Sequence, residues 1–75
     1  MILDEFVSNF ADQFDDTDAY EIHRNTKFHD LDEWGSLIAM GIIAMVKTQY
    51  GKTITGKEIR ESVTVEDLFN LINSK

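Results

Sequence analysis

Apolar residues recur at three- and four-residue steps in three segments of the chain, a spacing typical of amphipathic helices. The first segment predicts a helix over about residues 2 to 14. The second begins at Ser36, includes the longest apolar run of the chain and stops at Gly51. The third segment predicts a helix over about 65 to 73, and a start signal at Thr55 predicts a brief helix over about 56 to 61 before it. The apolar positions of the outer helices are Ile2, Leu3, Phe6, Phe10 and Phe14 in the first, and Val65, Leu68, Phe69, Leu71 and Ile72 in the last.

Residues 15 to 34, between the first two predicted helices, form a polar stretch without helical periodicity. Loops of roughly 20 residues are uncommon in compact domains, and they usually carry function or are anchored to the core. Four apolar residues are candidate anchors, namely Ile22, Phe28, Leu31 and Trp34. The sequence therefore predicts an all-α, antiparallel four-helix bundle with a long loop between helices 1 and 2 and a short helix 3.

Each predicted helix after the loop has a start signal. Thr55 and Thr64 are each followed three residues later by an acid, Glu58 and Asp67, which is the capping-box pattern. Ser36 stands before an apolar helical run, so its hydroxyl is a candidate N-cap. A serine in this position is either a helix cap or an attachment point for another group, and the residue alone does not decide between them.

Composition excludes several classes of function. The chain has 75 residues, which predicts one small domain over 1–75. Its net charge of -7 argues against nucleic acid and anionic membranes as partners, because both need a basic surface. The absence of cysteine excludes disulfides, Cys-ligated zinc and a thiol nucleophile. The acidic start is unlike a secretory signal and the longest apolar run is too short to span a bilayer, so a cytoplasmic protein is expected.

A family resemblance is carried by the start of the second helix and by segments after it. These are the residues from Asp30 to Leu37, then Ile54, and the last helix from Thr64 to Ile72. Together they resemble the acyl carrier protein family, the phosphopantetheine-binding carriers, over about residues 28 to 72. The core of the motif is Gly35-Ser36-Leu37, and the family fold is a four-helix bundle of the kind predicted above.

The resemblance implies a function for Ser36. A separate phosphopantetheinyl transferase would attach a 4'-phosphopantetheine arm to its hydroxyl, with Gly35 and Leu37 flanking the arm. The terminal thiol of the arm would hold acyl, aminoacyl or peptidyl groups as thioesters for acyl-activating or acyl-transferring enzymes of fatty-acid, polyketide or nonribosomal peptide biosynthesis. The family also implies a monomer. In one departure from the family pattern, Gly35 replaces the acid that usually precedes the serine, and the nearby Asp32 and Glu33 are candidate substitutes.

A second departure concerns the partner surface. The second predicted helix contains no acid and one base, Lys47, whereas fatty-acid carriers usually expose several acids there. One orientation of this helix turns Ile38, Gly41 and Met45 outward, and these three with Lys47 are then the predicted partner-binding residues. The alternative is that Ile38 and Met45 pack under the long loop. In the outward orientation, docking depends on apolar contact more than on charge.

No pattern in the chain indicates a metal site or an enzyme. His23 and His29 match no zinc spacing, so both are interpreted as solvated loop residues. No Ser, His and Asp grouping indicates a hydrolase. The alternative to a carrier is therefore an unmodified small acidic helical adaptor that binds a protein partner through helix 2. A third hypothesis is a carrier that keeps the fold and has lost the attachment.

Overall fold

A computed structural model of the chain describes all 75 residues and contains four α-helices. Their bounds are Leu3–Ala11 (α1), Ser36–Tyr50 (α2), Gly56–Glu61 (α3) and Val65–Asn73 (α4). Helix α1 packs on α4 and on α2, and α2 packs on α3. There is no β-strand, only one isolated antiparallel bridge between Lys27 and Thr64. The predicted small all-helical bundle is confirmed, and no helix is both long and apolar enough to span a membrane.

Helix α1 ends at Ala11, three residues earlier than the apolar spacing predicts. After Ala11 the chain tightens, because the N–H of Gln13 donates to Phe10 O and that of Phe14 donates to Ala11 O, each over three residues. This tighter turn still carries the Phe14 ring into the core, where it is 7% exposed. The apolar spacing identified a buried residue correctly but assigned it to the wrong local geometry.

One core of 16 buried apolar side chains joins the helices and the loop. Its aromatic centre connects α1 to the loop. The ring of Phe10 lies parallel to that of Trp34 with centroids 6.4 Å apart, and Phe28 meets Trp34 edge to face at 4.8 Å. Such aromatic pairs add to the stabilisation that burial provides. The end of the loop is thereby attached directly to α1.

The four predicted anchors all pack into or against the core. Ile22 and Phe28 are 3% and 0% exposed, while Leu31 and Trp34 are half-buried against the core. The loop also contains two short 3-10 turns, Ala19–Glu21 and Phe28–Asp30. Residues 15 to 34 are therefore an ordered segment that follows the surface of the bundle and brings the chain to the start of α2.

Candidate functional site

Ser36 is the first helical residue of α2, and the N-cap position belongs to Gly35. The Gly35 carbonyl oxygen accepts the first helical hydrogen bond, from Ala39 N at 3.0 Å, and the backbone of Gly35 is fully extended. No side chain caps this helix. The interpretation of Ser36 as N-cap is therefore wrong, because its own backbone is already helical and the cap must come from the residue before it.

The hydroxyl of Ser36 lies at an open helix end. Ser36 and Leu37 are both exposed, and the first N–H groups of a helix have no partner inside the helix. Without a capping side chain, these N–H groups remain available to solvent or to a ligand. The same helix end carries the positive end of the helix dipole, so an anion bound at Ser36 would be stabilised there.

A surface groove of about 380 Å³ adjoins Ser36. It lies between the end of the loop, the start of α2 and helix α3. The lining residues are His29, Trp34 and Gly35 from the loop, Ser36 and Ala39 from α2, and Gly56, Ile59 and Arg60 from α3. The structure therefore brings the predicted attachment residue and its preceding glycine together with α3, which lies 20 residues further along the chain.

His29 holds the end of α3 beside this groove. Its Nε2 lies 3.1 Å from the carbonyl oxygen of Ile59 and 3.0 Å from that of Ser62. Both partners are acceptors, so Nε2 carries a proton and donates to them. Both His29 and His23 are exposed, as predicted for solvated loop residues. The prediction did not include the contacts of the His29 ring with these carbonyl oxygens at the C-terminus of α3.

The carboxylate of Glu33, three residues before Ser36, binds the end of the loop to its beginning. It accepts from Asp15 N at 2.7 Å, Asp16 N at 3.0 Å and the Thr17 hydroxyl at 2.8 Å. Desolvation acts to raise the pKa of Glu33, but these hydrogen bonds outweigh it and hold the pKa below its usual value. Glu33 is therefore committed to loop structure, and of the two candidate substitutes for the missing acid only the exposed Asp32 remains.

A second cavity, of about 500 Å³, lies on the loop side of Glu33. Asp16, Thr17, Glu21, Leu31 and the acids at 30, 32 and 33 line it. No group of three or more His, Cys, Asp or Glu side chains in the structure is arranged to hold a metal ion.

The exposed face of α2 differs from the predicted one. Ile38 and Met45 are 7% and 6% exposed and belong to the buried core, so the orientation that turned them outward is wrong. Gly41 is half-buried, with Gln13 Oε1 3.2 Å from the position a Cβ would occupy, so the turn that follows α1 covers this position. Of the predicted partner-binding residues, only Lys47 is exposed.

Two large apolar residues of α2 are exposed instead. Leu37 is 79% exposed and Met40 is 65% exposed. They lie three residues apart, and Ala44 and Lys47 continue the same exposed face at steps of four and three residues. Met40 and Ala44 were not among the predicted partner-binding residues, because α2 is apolar on nearly every side and its periodicity does not identify the buried face.

Comparison of the chain with protein-family models, with curated protein sequences and with solved structures gives no match.

Proposed function

We propose that this protein is an acyl carrier whose Ser36 bears a 4'-phosphopantetheine arm attached by a separate phosphopantetheinyl transferase. The observation that carries the proposal is the place of Ser36. Ser36 is exposed in the first turn of α2, at a helix end without a side-chain cap, and it lies on the wall of a groove. The sequence around it, Gly35-Ser36-Leu37, corresponds to the core of the carrier family's motif, with Gly35 in place of the usual acid. An enzyme can reach this serine without unfolding the bundle.

The residues around Ser36 fit such an arm. Open N–H groups and the dipole at the start of α2 favour a phosphate by about 0.3 to 1 kcal/mol. Space is also open beside the serine, because no atom outside residues 34 to 36 lies within 4 Å of the position that a Cβ on Gly35 would take. The arm would supply a thiol that holds an acyl group as a thioester, and the chain itself has no cysteine. This chain's residues would hold the attachment point and orient it.

The proposed role includes no catalytic step by the chain itself. Nε2 of His29, on the groove wall, donates to carbonyl oxygens of α3. The carboxylate of Glu33 is bonded to the loop. These two titratable side chains near Ser36 thus have structural partners, whereas general acid–base chemistry needs a group that can reach the substrate. The carrier acts as a tether that raises the effective concentration of its cargo at the active site of a partner enzyme.

Partner enzymes would dock on the exposed face of α2 that begins beside Ser36. Leu37 and Met40 supply its apolar part, and Ala44 and Lys47 extend it. Helix α2 contains no acidic residue, so a basic surface on the partner would gain little electrostatic attraction from it. We infer partners that present an apolar pocket, and these are the acyl-activating and acyl-transferring enzymes of fatty-acid or secondary-metabolite biosynthesis in the cytosol.

The same exposed face favours a second candidate function. Two large apolar side chains on one helix face, Leu37 and Met40, are also what a small acidic adaptor would use to bind a protein partner without modification. In that case, and in a carrier that has lost its attachment, Ser36 would remain a free hydroxyl. Modification of Ser36 therefore separates the candidates.

The test is coexpression with a broad-specificity phosphopantetheinyl transferase, followed by intact-protein mass measurement. Wild type is expected to gain the mass of one phosphopantetheine and Ser36→Ala to gain none. Ser8→Ala is the matched control, because Ser8 is also an exposed helical serine and lies on α1. It should be modified like the wild type.

A transferase encoded beside the gene for this chain is the second enzyme to use, because Gly35 replaces the acid that transferases of this family commonly recognise. If neither enzyme modifies the folded wild type, the carrier proposal is wrong. If Ser36→Ala is modified as well, the attachment is at another residue and the proposal for Ser36 is also wrong.

A further inference from the structure

The groove beside Ser36 differs in charge from the rest of this acidic chain. Its lining includes Arg60 and His29 and no carboxylate, although the chain carries 14 acids against 7 Lys and Arg. The cavity on the loop side of Glu33, in contrast, is lined mainly by acids. An anionic ligand is therefore favoured in the groove and disfavoured in the acidic cavity.

The guanidinium of Arg60 is free to bind such an anion. The one ion pair in the structure joins Lys75 Nζ and Glu58 Oε2 at 2.8 Å and leaves Arg60 out. The Arg60 side chain runs back along α3, and its Nη1 lies 3.3 Å from the position that a Cβ on Gly56 would take. Because glycine stands at 56, the guanidinium lies close against the first turn of α3 on the groove wall.

The backbone that carries Arg60 is held on both sides. His29 Nε2 donates to the carbonyl oxygens of Ile59 and Ser62, which flank Arg60 in the sequence. The side chain of Ile59 is 1% exposed and fixes the same turn to the core. A cation on a fixed backbone loses less conformational freedom on binding than one on a mobile loop.

We propose that Arg60 binds the phosphate of a phosphate ester in this groove, and that this ester is the phosphodiester of the arm carried by Ser36. The inference rests on the proposed function. Arginine binds phosphate oxygens through two parallel N–H donors, and Ser36 lines the same groove as Arg60. A contact between Arg60 and the phosphodiester would attach the root of the arm to α3 as well as to α2, and would direct the arm along the groove.

The first experiment titrates free 4'-phosphopantetheine into the unmodified protein, followed by the NMR signals of the backbone amides and the arginine side chains. The variant is Arg60→Gln. The matched control is Lys57→Gln, because Lys57 lies on the same helix, is exposed and does not line the groove. We expect Arg60→Gln to weaken binding about tenfold, as for the loss of a hydrogen bond to a charged group, and Lys57→Gln to leave it unchanged.

The second experiment distinguishes the attached phosphodiester from a free phosphate ester. Protein loaded at Ser36 is titrated with the same free ligand. If the attached phosphodiester occupies Arg60, the loaded protein should bind free 4'-phosphopantetheine at least about tenfold more weakly than the unloaded protein. The Arg60→Gln variant should show no such difference between its loaded and unloaded forms.

Three results would overturn the inference, each in a different part. Equal binding by Arg60→Gln and Lys57→Gln would remove Arg60 from the site. Undiminished binding of the free ligand by the loaded protein would show that the groove binds a separate phosphate ester. Failure of Ser36 to load, detected by mass, would overturn the proposed function and with it the attached source, while the first titration would still decide whether Arg60 binds phosphate.

Discussion

The N-termini of α4 and α2 are built in opposite ways. At α4, the Thr64 hydroxyl accepts from Asp67 N at 3.1 Å, and two further N–H groups donate to loop carbonyl oxygens at 2.8 and 3.2 Å. At α2, the longest helix, the cap position is Gly35 and no side chain caps the helix. The start of α4 is closed by the protein itself, whereas the start of α2 is left open at Ser36, the residue proposed for modification.

The stability that α2 lacks at its uncapped N-terminus must come from packing. Helix α2 lies between α1 and α3 and buries Ile38, Ile42, Met45 and Val46. Its position thus depends on the core and not on a local cap. This arrangement leaves the first turn of α2 accessible without loosening the helix.

Because α2 depends on the core, the largest loss of stability is expected when one of its buried side chains is shortened. Ile42 is 0% exposed, so Ile42→Ala should lower the free energy of unfolding by about 2 to 5 kcal/mol. Met40→Ala is the matched control, because Met40 is 65% exposed on the same helix. That change should cost less than about 0.5 kcal/mol. Urea denaturation followed by circular dichroism measures both, and equal losses would contradict the assigned orientation of α2.

A smaller effect is expected at the two helix starts. Thr64→Ala removes a side-chain cap and should lower the free energy of unfolding by about 1 kcal/mol. Ser36→Ala removes no cap and should change it by less than about 0.5 kcal/mol. The same denaturation measurement compares them. A loss at Ser36 as large as that at Thr64 would mean that the serine hydroxyl does cap α2.

Closing the open end should have a still smaller effect. Gly35→Asp supplies a capping carboxylate, and the extended backbone at 35 accepts any residue, with open space around the new Cβ. We expect a gain of a few tenths of a kcal/mol in the free energy of unfolding, the usual difference between glycine and aspartate at this position. Mass measurement over time should also show faster modification of Ser36. A loss of stability would mean that the start of α2 is less open than the structure indicates.

The last prediction concerns the loop that leads to α2 and its dependence on pH. The pKa of Glu33 is lower in the folded protein than its usual value of 4.5, because the hydrogen bonds from residues 15 to 17 outweigh desolvation. A carboxylate with a lowered folded pKa stabilises the fold above the unfolded pKa and loses this contribution as the pH falls through the folded pKa. The protection factors of the amides at residues 15 to 17, which compare observed with intrinsic exchange rates at each pH, should therefore fall below about pH 4.5.

The matched variant for this prediction is Glu33→Gln, which removes the titrating group. It should accelerate exchange at residues 15 to 17 at neutral pH and flatten the acid dependence, while amides of α4 serve as the internal reference. An unchanged pH profile in Glu33→Gln would show that another group controls the order of the loop.

Several elements of the fold were predictable because their signals are local. The bounds of α3 and α4 match the predicted ones, and both capping boxes are present, with Glu58 accepting from Thr55 N at 2.9 Å and Asp67 accepting from Thr64 N at 3.0 Å. Such a box involves residues only three apart, so a single sequence contains all of it. The anchors of the loop were predictable for a related reason, since isolated large apolar residues in a polar stretch gain stability only by packing.

The groove at Ser36 could not be predicted in the same way. Arg60 and His29 reach it from α3 and from the loop, and neither has a distinctive spacing relative to Ser36. The end of α1 was misjudged because periodicity identifies burial and does not distinguish an α-helical turn from a 3-10 turn.

The presence of four helices, the starts of α3 and α4 and the serine at the start of the apolar helix were all readable from the chain alone, because each depends on neighbours a few residues away. The tertiary structure decided which side of α2 is buried, that Gly35 and not Ser36 takes the cap position, and which groups from α3 and the loop surround the serine. The physical reason is that α2 is apolar on nearly every side. Its orientation is set by the surfaces of α1 and α3 that it covers, and these surfaces exist only once the chain has folded.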